Sequence, residues 1–295
     1  MQFKRKATTA KSLKQSVANL SVNERWFYGT DKVPYDEYHK IENVVSASLL
    51  KDVANPLISD YHLYRKYIAK NLPFNETPAM LLGSLVHCMV LEPNKLDSRY
   101  VIEPKINKRT KQGKIDFEEF QLTLGRKTII KPDMWEQAGQ ITSVVLKNSY
   151  VKQLMKDCQN EATGFMKLPD GSILKGRADS INLTGRYGLD LKVMLDSSPM
   201  GFTKASANLR YDIQAHAYQE LFDLDEFIFI VVSKTDPIEV GIYSLSSEFM
   251  EKAKRDFYEA VGRWSELKLS NKWESYIKED SPLTELAPPN WFKYI

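Results

Sequence analysis

Two runs of alternating apolar and polar residues, ILKGRADSIN from Ile173 and YGLDLKVM from Tyr187, flank a turn-like segment at 182–186, which predicts a β-hairpin. With Thr184 and Gly185 at the centre of the turn, Asp179 falls opposite Asp190 and Arg177 opposite Lys192. Side chains alternate along a strand, so this register puts all four on one face. Facing carboxylates repel unless a cation lies between them. A divalent metal is the economical cation, because magnesium is held by one or two carboxylates plus water and phosphate oxygens. Lys192 then faces a metal-bound water or a phosphate. The competing reading is a solvated hairpin, and a slip of one residue would turn Asp179 to the other side.

Elsewhere the pattern is mainly helical. Ser46 or Ser48 caps a short helix in SASLLKDVA, ended by Asn55-Pro56, and a second helix spans about Ser59 to Ala69. Its tyrosines, Tyr61, Tyr64 and Tyr67, read as packing before recognition. Pro78 opens an apolar helix, PAMLLGSLVHCMVL, that stops before Pro93. Within it Gly83 and His87 stack one turn apart, the glycine allowing a neighbouring element to approach closely. A histidine in so apolar a helix needs a partner, a backbone carbonyl or a metal. Helices follow from Pro132 to Val145 and Tyr150 to Asp157. A strand from Glu161 to Lys167 then leads into the hairpin through Pro169-Asp170-Gly171 and makes Glu161 a candidate third carboxylate or a plain surface residue. Beyond the hairpin come a helix from Tyr211 to Phe222, strands FIFIVVS and EVGIYSL, and a long amphipathic helix from Ser247. The layout is mixed α/β around one central sheet.

Composition adds less than distribution. The chain has 295 residues, 43% of them hydrophobic, and a net charge of +3, enough for a substantial core and too modest to announce nucleic acid. Cys88 and Cys158 form no ligand or disulfide pattern, which fits a reducing cytosol, and no run reads as a membrane span or signal peptide. Eight Lys or Arg against three acids lie between Lys105 and Lys131. Within that stretch the polar loop INKRTKQGK suits phosphates or open solvent. The first residues carry Lys4, Arg5, Lys6, Lys11 and Lys14 with no acid before Glu24. Residues 1–37 therefore read as a basic, mobile arm and 38–295 as a single domain, although the aromatic stretch from Arg25 looks packed.

The ordered set Gly83-x-x-x-His87, Asp179, Asp190-x-Lys192 and Gln214-x-x-x-Tyr218 resembles the PD-(D/E)xK nucleases of the RecB-like branch, the RecE-type exonuclease VIII group above all. The SAS-LL segment and RTKQGK extend the likeness, which covers about Tyr38 to Tyr243. It implies an α/β fold with a central mixed sheet flanked by helices. It also implies a metal, Mg2+ with Mn2+ as the alternative, held by His87, Asp179, Asp190 and the Leu191 carbonyl. Lys192 would orient or deprotonate the attacking water, and Gln214 and Tyr218 would line the site and steady the DNA strand. Lys105, Lys108, Arg109, Lys111, Lys114, Arg177 and Tyr211 are the candidate DNA contacts. Ala178 replaces the motif's usual proline. The resemblance further implies a cytoplasmic, bacterial or prophage-encoded enzyme that degrades one strand of linear duplex from its 5′ end. Such an enzyme would form a ring of three or four subunits and work beside a single-strand annealing protein. An endonuclease of the same superfamily and a non-catalytic recombination scaffold are the alternatives.

Overall fold

The computed structural model describes residues 17–28, 33, 35–277, 283 and 285–288. Its centre is a mixed sheet. The strands are β1 (Arg25–Tyr28), β2 (Val44–Ser46), β5 (Gln159–Lys167), β6 (Ile173–Asn182), β7 (Tyr187–Met194), β8 (Glu226–Ser233) and β9 (Val240–Ser244), numbered to include a separate parallel pair, β3 (Tyr100–Ile102) and β4 (Thr128–Ile130). The path runs β1-β5-β6-β7-β8-β9, with β2 joining β6 off that path. β2 with β6 and β7 with β8 are parallel; the other pairs of this sheet are antiparallel. Helices cover both faces. Ala47–Val53, Tyr211–Phe222 and Ser247–Ser270 bury one face through Leu50, Phe222, Phe257 and Trp264. Pro78–Leu91 and Pro132–Lys147 bury the other through Leu85, Ile141 and Val145. No described helix is long and apolar enough to cross a membrane.

The hairpin forms in the expected register, with Ser180 opposite Leu189, Ile181 opposite Gly188 and Asn182 opposite Tyr187. It then opens. Toward its start β6 leaves β7 and pairs instead with β2, Ser46 opposite Lys175, while β7 continues along β8. The β6 edge that faces β7 is therefore without a strand partner from Gly176 to Asp179. Asp179 and Asp190 occupy the first row past this fork.

The helix Tyr211–Phe222 lies over the fork because two glycines let it. Gly164 and Gly176 are register partners on β5 and β6. A Cβ at Gly176 would sit 2.6 Å from Leu221 and 2.7 Å from Tyr218, and one at Gly164 would sit 2.7 Å from Phe222. Close backbone approach is the physical reason for both residues. Gly83 does not serve this purpose, since a Cβ there would meet nothing within 4 Å.

Several segments differ from the sequence expectation. The basic stretch is not all loop: Thr110 caps a helix, Lys111–Thr123, by accepting from Gly113 N at 2.9 Å, and β4 follows. The helix Pro199–Asn208 and the strands β1 and β2 went unforeseen, because short strands and a weakly periodic helix leave little signal. Residues 1–16 of the expected arm lie outside the described residues. Its later part is attached to the sheet: Val17 and Leu20 are buried, and β1 pairs with β5.

Substituting Gly176→Ala should lower unfolding free energy by about 1–3 kcal/mol through overpacking against Tyr218 and Leu221. Urea denaturation of the purified variant measures this. An unchanged midpoint would mean that the helix can lift off the sheet at no cost.

Candidate metal centre at the strand fork

Glu161, Asp179 and Asp190 stand in one row across β5, β6 and β7. The β5–β6 ladder has Asn160 opposite Ser180 and Ala162 opposite Ala178, and the row between them is Glu161 with Asp179. Here the alternation of faces breaks. Asn160 donates to the Leu91 carbonyl at 2.9 Å, on the side of Pro78–Leu91, whereas Ala162 and Ala178 belong to the core beneath Tyr211–Phe222. The reversal passes through Glu161, whose φ of 52° is the left-handed region that a side chain enters at a cost of about 1 kcal/mol or more. Strain at this point turns the Glu161 carboxylate toward His87.

His87 projects from Pro78–Leu91, whose start is fixed by the Thr77 cap and by Pro78 in the first turn. Its Nε2 lies 3.1 Å from Asp179 Oδ1 and 3.7 Å from Glu161 Oε1. One ligand atom from each of His87, Glu161 and Asp179 lies within 4.8 Å of the others. The Leu191 N–H donates to Asp179 Oδ2 at 2.9 Å and so orients this carboxylate from β7.

Asp190 sits beside this trio, 2% exposed. Gln214 Nε2 donates to its Oδ1 at 2.5 Å, and Lys192 Nζ is 2.5 Å from its Oδ2. That second oxygen has no partner beyond this ammonium among the described residues. Gln214 also accepts from Lys192 at 3.4 Å, so one amide holds both members of the ion pair. Two groups remain without full satisfaction: an acceptor in the interior, and three ligand atoms that repel or protonate one another. A divalent cation fits both conditions, with one imidazole and carboxylate oxygens as its donors.

The electrostatics follow from crowding. Burial opposes the charge on His87, yet Asp179 and Glu161 outweigh it and raise the imidazole to about 9. Burial, with Asp179 and Glu92 nearby, pushes Glu161 up to about 7 against the pull of His87 and Arg177. At Asp179 burial is overcome by His87, and the carboxyl is held below its ordinary value. At Asp190 burial and the neighbouring Asp179 charge prevail over Lys192, and the carboxyl is pushed up. Without a metal, the site is thus a cluster sharing protons, as coupled carboxylates do.

The remaining expected residues are placed as follows. Arg177 does not share the Lys192 face. Its guanidinium bonds Thr163 Oγ1 at 2.9 Å and the Val33 carbonyl at 2.7 Å and lies over the Tyr38 ring, because β6 has already parted from β7 there. Tyr218 is a packing residue more than a lining one: its hydroxyl donates to the Arg177 carbonyl at 3.0 Å, on the partnerless β6 edge. Tyr211 is stacked against Phe202 and Phe229, with the Lys192 ammonium 4.7 Å from its ring centre. Lys105, Lys108, Arg109, Lys111 and Lys114 are exposed, and Lys108 pairs with Glu103 and covers Phe117. None of these five bonds a residue of the cluster.

A family profile described as a PDDEXK-like domain of unknown function (DUF3799) matches residues 46–278. The chain belongs to this PDDEXK-like family. Among solved structures it is similar to a candidate exonuclease from Eubacterium rectale, with 18% identity and a TM-score of 0.61 over 89% of this chain and 97% of that one. It is also similar to a phage-related exonuclease from Haemophilus somnus 129PT, with 17% identity and a TM-score of 0.32 over 58% of this chain and 91% of that one. No curated protein matches it. The first similarity shows a shared fold over nearly the whole length of both chains.

Two outcomes are expected here. Tyr218→Phe strands the Arg177 carbonyl and should cost about 1–3 kcal/mol in urea unfolding; loss of activity at unchanged stability would return Tyr218 to the substrate. Glu161→Gly relieves the left-handed backbone and one carboxylate. It should raise the melting temperature of the metal-free protein while shrinking the further rise caused by added Mn2+.

Proposed function

We propose that this PDDEXK-like protein is a divalent-metal-dependent DNA exonuclease of the RecE type. The observation that carries the proposal is the meeting of His87, Glu161 and Asp179 within one ligand sphere, beside the Asp190–Lys192 pair. A pure binding module has no use for carboxylates massed where phosphates must approach.

His87, Glu161, Asp179 and Asp190 would hold Mg2+ or Mn2+, with the Leu191 carbonyl as a further ligand. When bound, the metal supplies Lewis acidity toward phosphate and lowers the pKa of a water. Lys192, kept charged by Asp190 and Asp179 despite its burial, stabilises the negative charge that develops as the phosphodiester opens. Gln214 fixes the direction of that ammonium. Tyr211 gives it an aromatic wall, and the exposed cations from Lys105 to Lys114 offer a phosphate track at a distance from the chemistry.

The finer reading is degradation of one strand of linear duplex from the 5′ end, leaving 3′ tails for a single-strand annealing protein. It includes a homo-oligomeric ring, a single catalytic domain that takes in β1, and a bacterial or prophage setting in the cytoplasm. The resemblance of the motif set, together with the exonuclease name of the Eubacterium rectale structure, supports it.

The test is digestion of a linear duplex labelled at the 5′ end of one strand, with Mg2+ or with chelator, alongside closed circular DNA and the Lys192→Ala protein. Mg2+-dependent release of label from the linear substrate alone is expected, reduced on the order of a hundredfold or more in the variant. Nicking of the circle would make the protein an endonuclease. Binding without cleavage in either metal would reduce it to a scaffold.

A further inference from the structure

Lys51 lies on the helix Ala47–Val53, far in sequence from the motif residues, and its ammonium is 4.9 Å from the centre of the Tyr211 ring. Lys192 approaches the same ring at 4.7 Å. Two cations are thus gathered at one aromatic platform next to Asp190. Their surroundings differ. Lys192 has Asp190 and Gln214, whereas Lys51 makes no ion pair or hydrogen bond among the described residues. Burial first, and the Lys192 charge second, hold Lys51 down to about 8, against the attraction of Asp190, Asp52 and Asp212. Half-buried, near a like charge and without a partner, the ammonium is costly where it stands unless an anion joins it.

The helix that carries it is firmly set. Ser46 caps it, Leu49, Leu50 and Val53 are buried, and Arg263 donates to the Val53 carbonyl at 2.7 Å. The neighbouring Asp52 is held by Lys66 at 2.6 Å and by the Tyr67 hydroxyl at 2.7 Å. A lysine on so fixed a backbone meets a ligand without any ordering of the main chain.

We propose that Lys51 is a substrate-binding residue, its ammonium taking a phosphate of the DNA strand next to the bond cut beside Asp190 and Lys192. The inference rests on the nuclease reading and adds a residue outside its motif set. A backbone phosphate supplies the missing anion, offsets the repulsion between the two lysines and leaves Lys192 to the reacting phosphate. Lys51 acts on binding and not on the chemical step.

The experiment measures binding of a fluorescein-labelled 12-base-pair duplex in Ca2+, from about 0.05 to 0.2 M salt, together with steady-state cleavage in Mg2+. The proteins are wild type, Lys51→Met, Lys51→Arg and Lys147→Met, the last an exposed lysine on the opposite face of the sheet. Lys51→Met should weaken binding about tenfold and lower the salt slope by about one. KM should rise by a similar factor while kcat stays within about twofold, and Lys51→Arg should recover most of the affinity. An unchanged affinity and slope in Lys51→Met, or a loss no larger than that of Lys147→Met, would overturn the proposal while wild-type cleavage leaves the nuclease reading intact. A wild type that neither binds nor cuts the duplex would overturn both.

Discussion

The fork between β6 and β7 is the constraint on which the site depends. A β-strand that parts from its neighbour leaves backbone groups without partners, and in a protein interior each such group must be matched or it costs about 1–3 kcal/mol. Here β2 takes over at Ser46–Lys175, the Tyr218 hydroxyl serves the Arg177 carbonyl, and the Leu191 N–H is spent on the Asp179 carboxylate. The opening is thus satisfied at these groups while making room for charged side chains. Elements that seem remote from the chemistry, such as β2 and the Gly164–Gly176 pair, are what allow it to exist.

Around that opening the two helical layers contribute opposite chemistry. Pro78–Leu91 brings one imidazole to the acidic row. Tyr211–Phe222 brings an amide that binds the Asp190 carboxylate and the Lys192 ammonium together. Glu161 and Asp179 gather with the His87 imidazole on one side and the lysines on the other, with Asp190 as the boundary. Such separation keeps a lysine charged beside a group that itself resists ionisation, a combination that neither residue would show alone in water.

Much of this was legible in the sequence, and the exceptions have physical reasons. The turn and the alternation of YGLDLKVM set the hairpin register, and proline marked the start of Pro78–Leu91. Arg177 leaves the face of Lys192 because a register says nothing of where a ladder ends. Glu161 was left between two readings because the left-handed backbone that aims it leaves no trace in composition. Lys51 drew no notice at all: it is one lysine on a short helix, and only tertiary packing brings it to Tyr211. The sole local hint was the SAS-LL segment that caps and carries it.

The same opening also bears on what the sheet offers to other chains. Its outer strands are short, four residues in β1 and five in β9, so neither presents a long row of free amides and carbonyls. A further four-residue run of backbone without a strand partner lies inside, on β6, and there Tyr218 and the helix Tyr211–Phe222 cover it. A strand from a second molecule therefore finds only short edges to extend among the described residues. The protein keeps a gap in its hydrogen-bonded ladder without becoming adhesive.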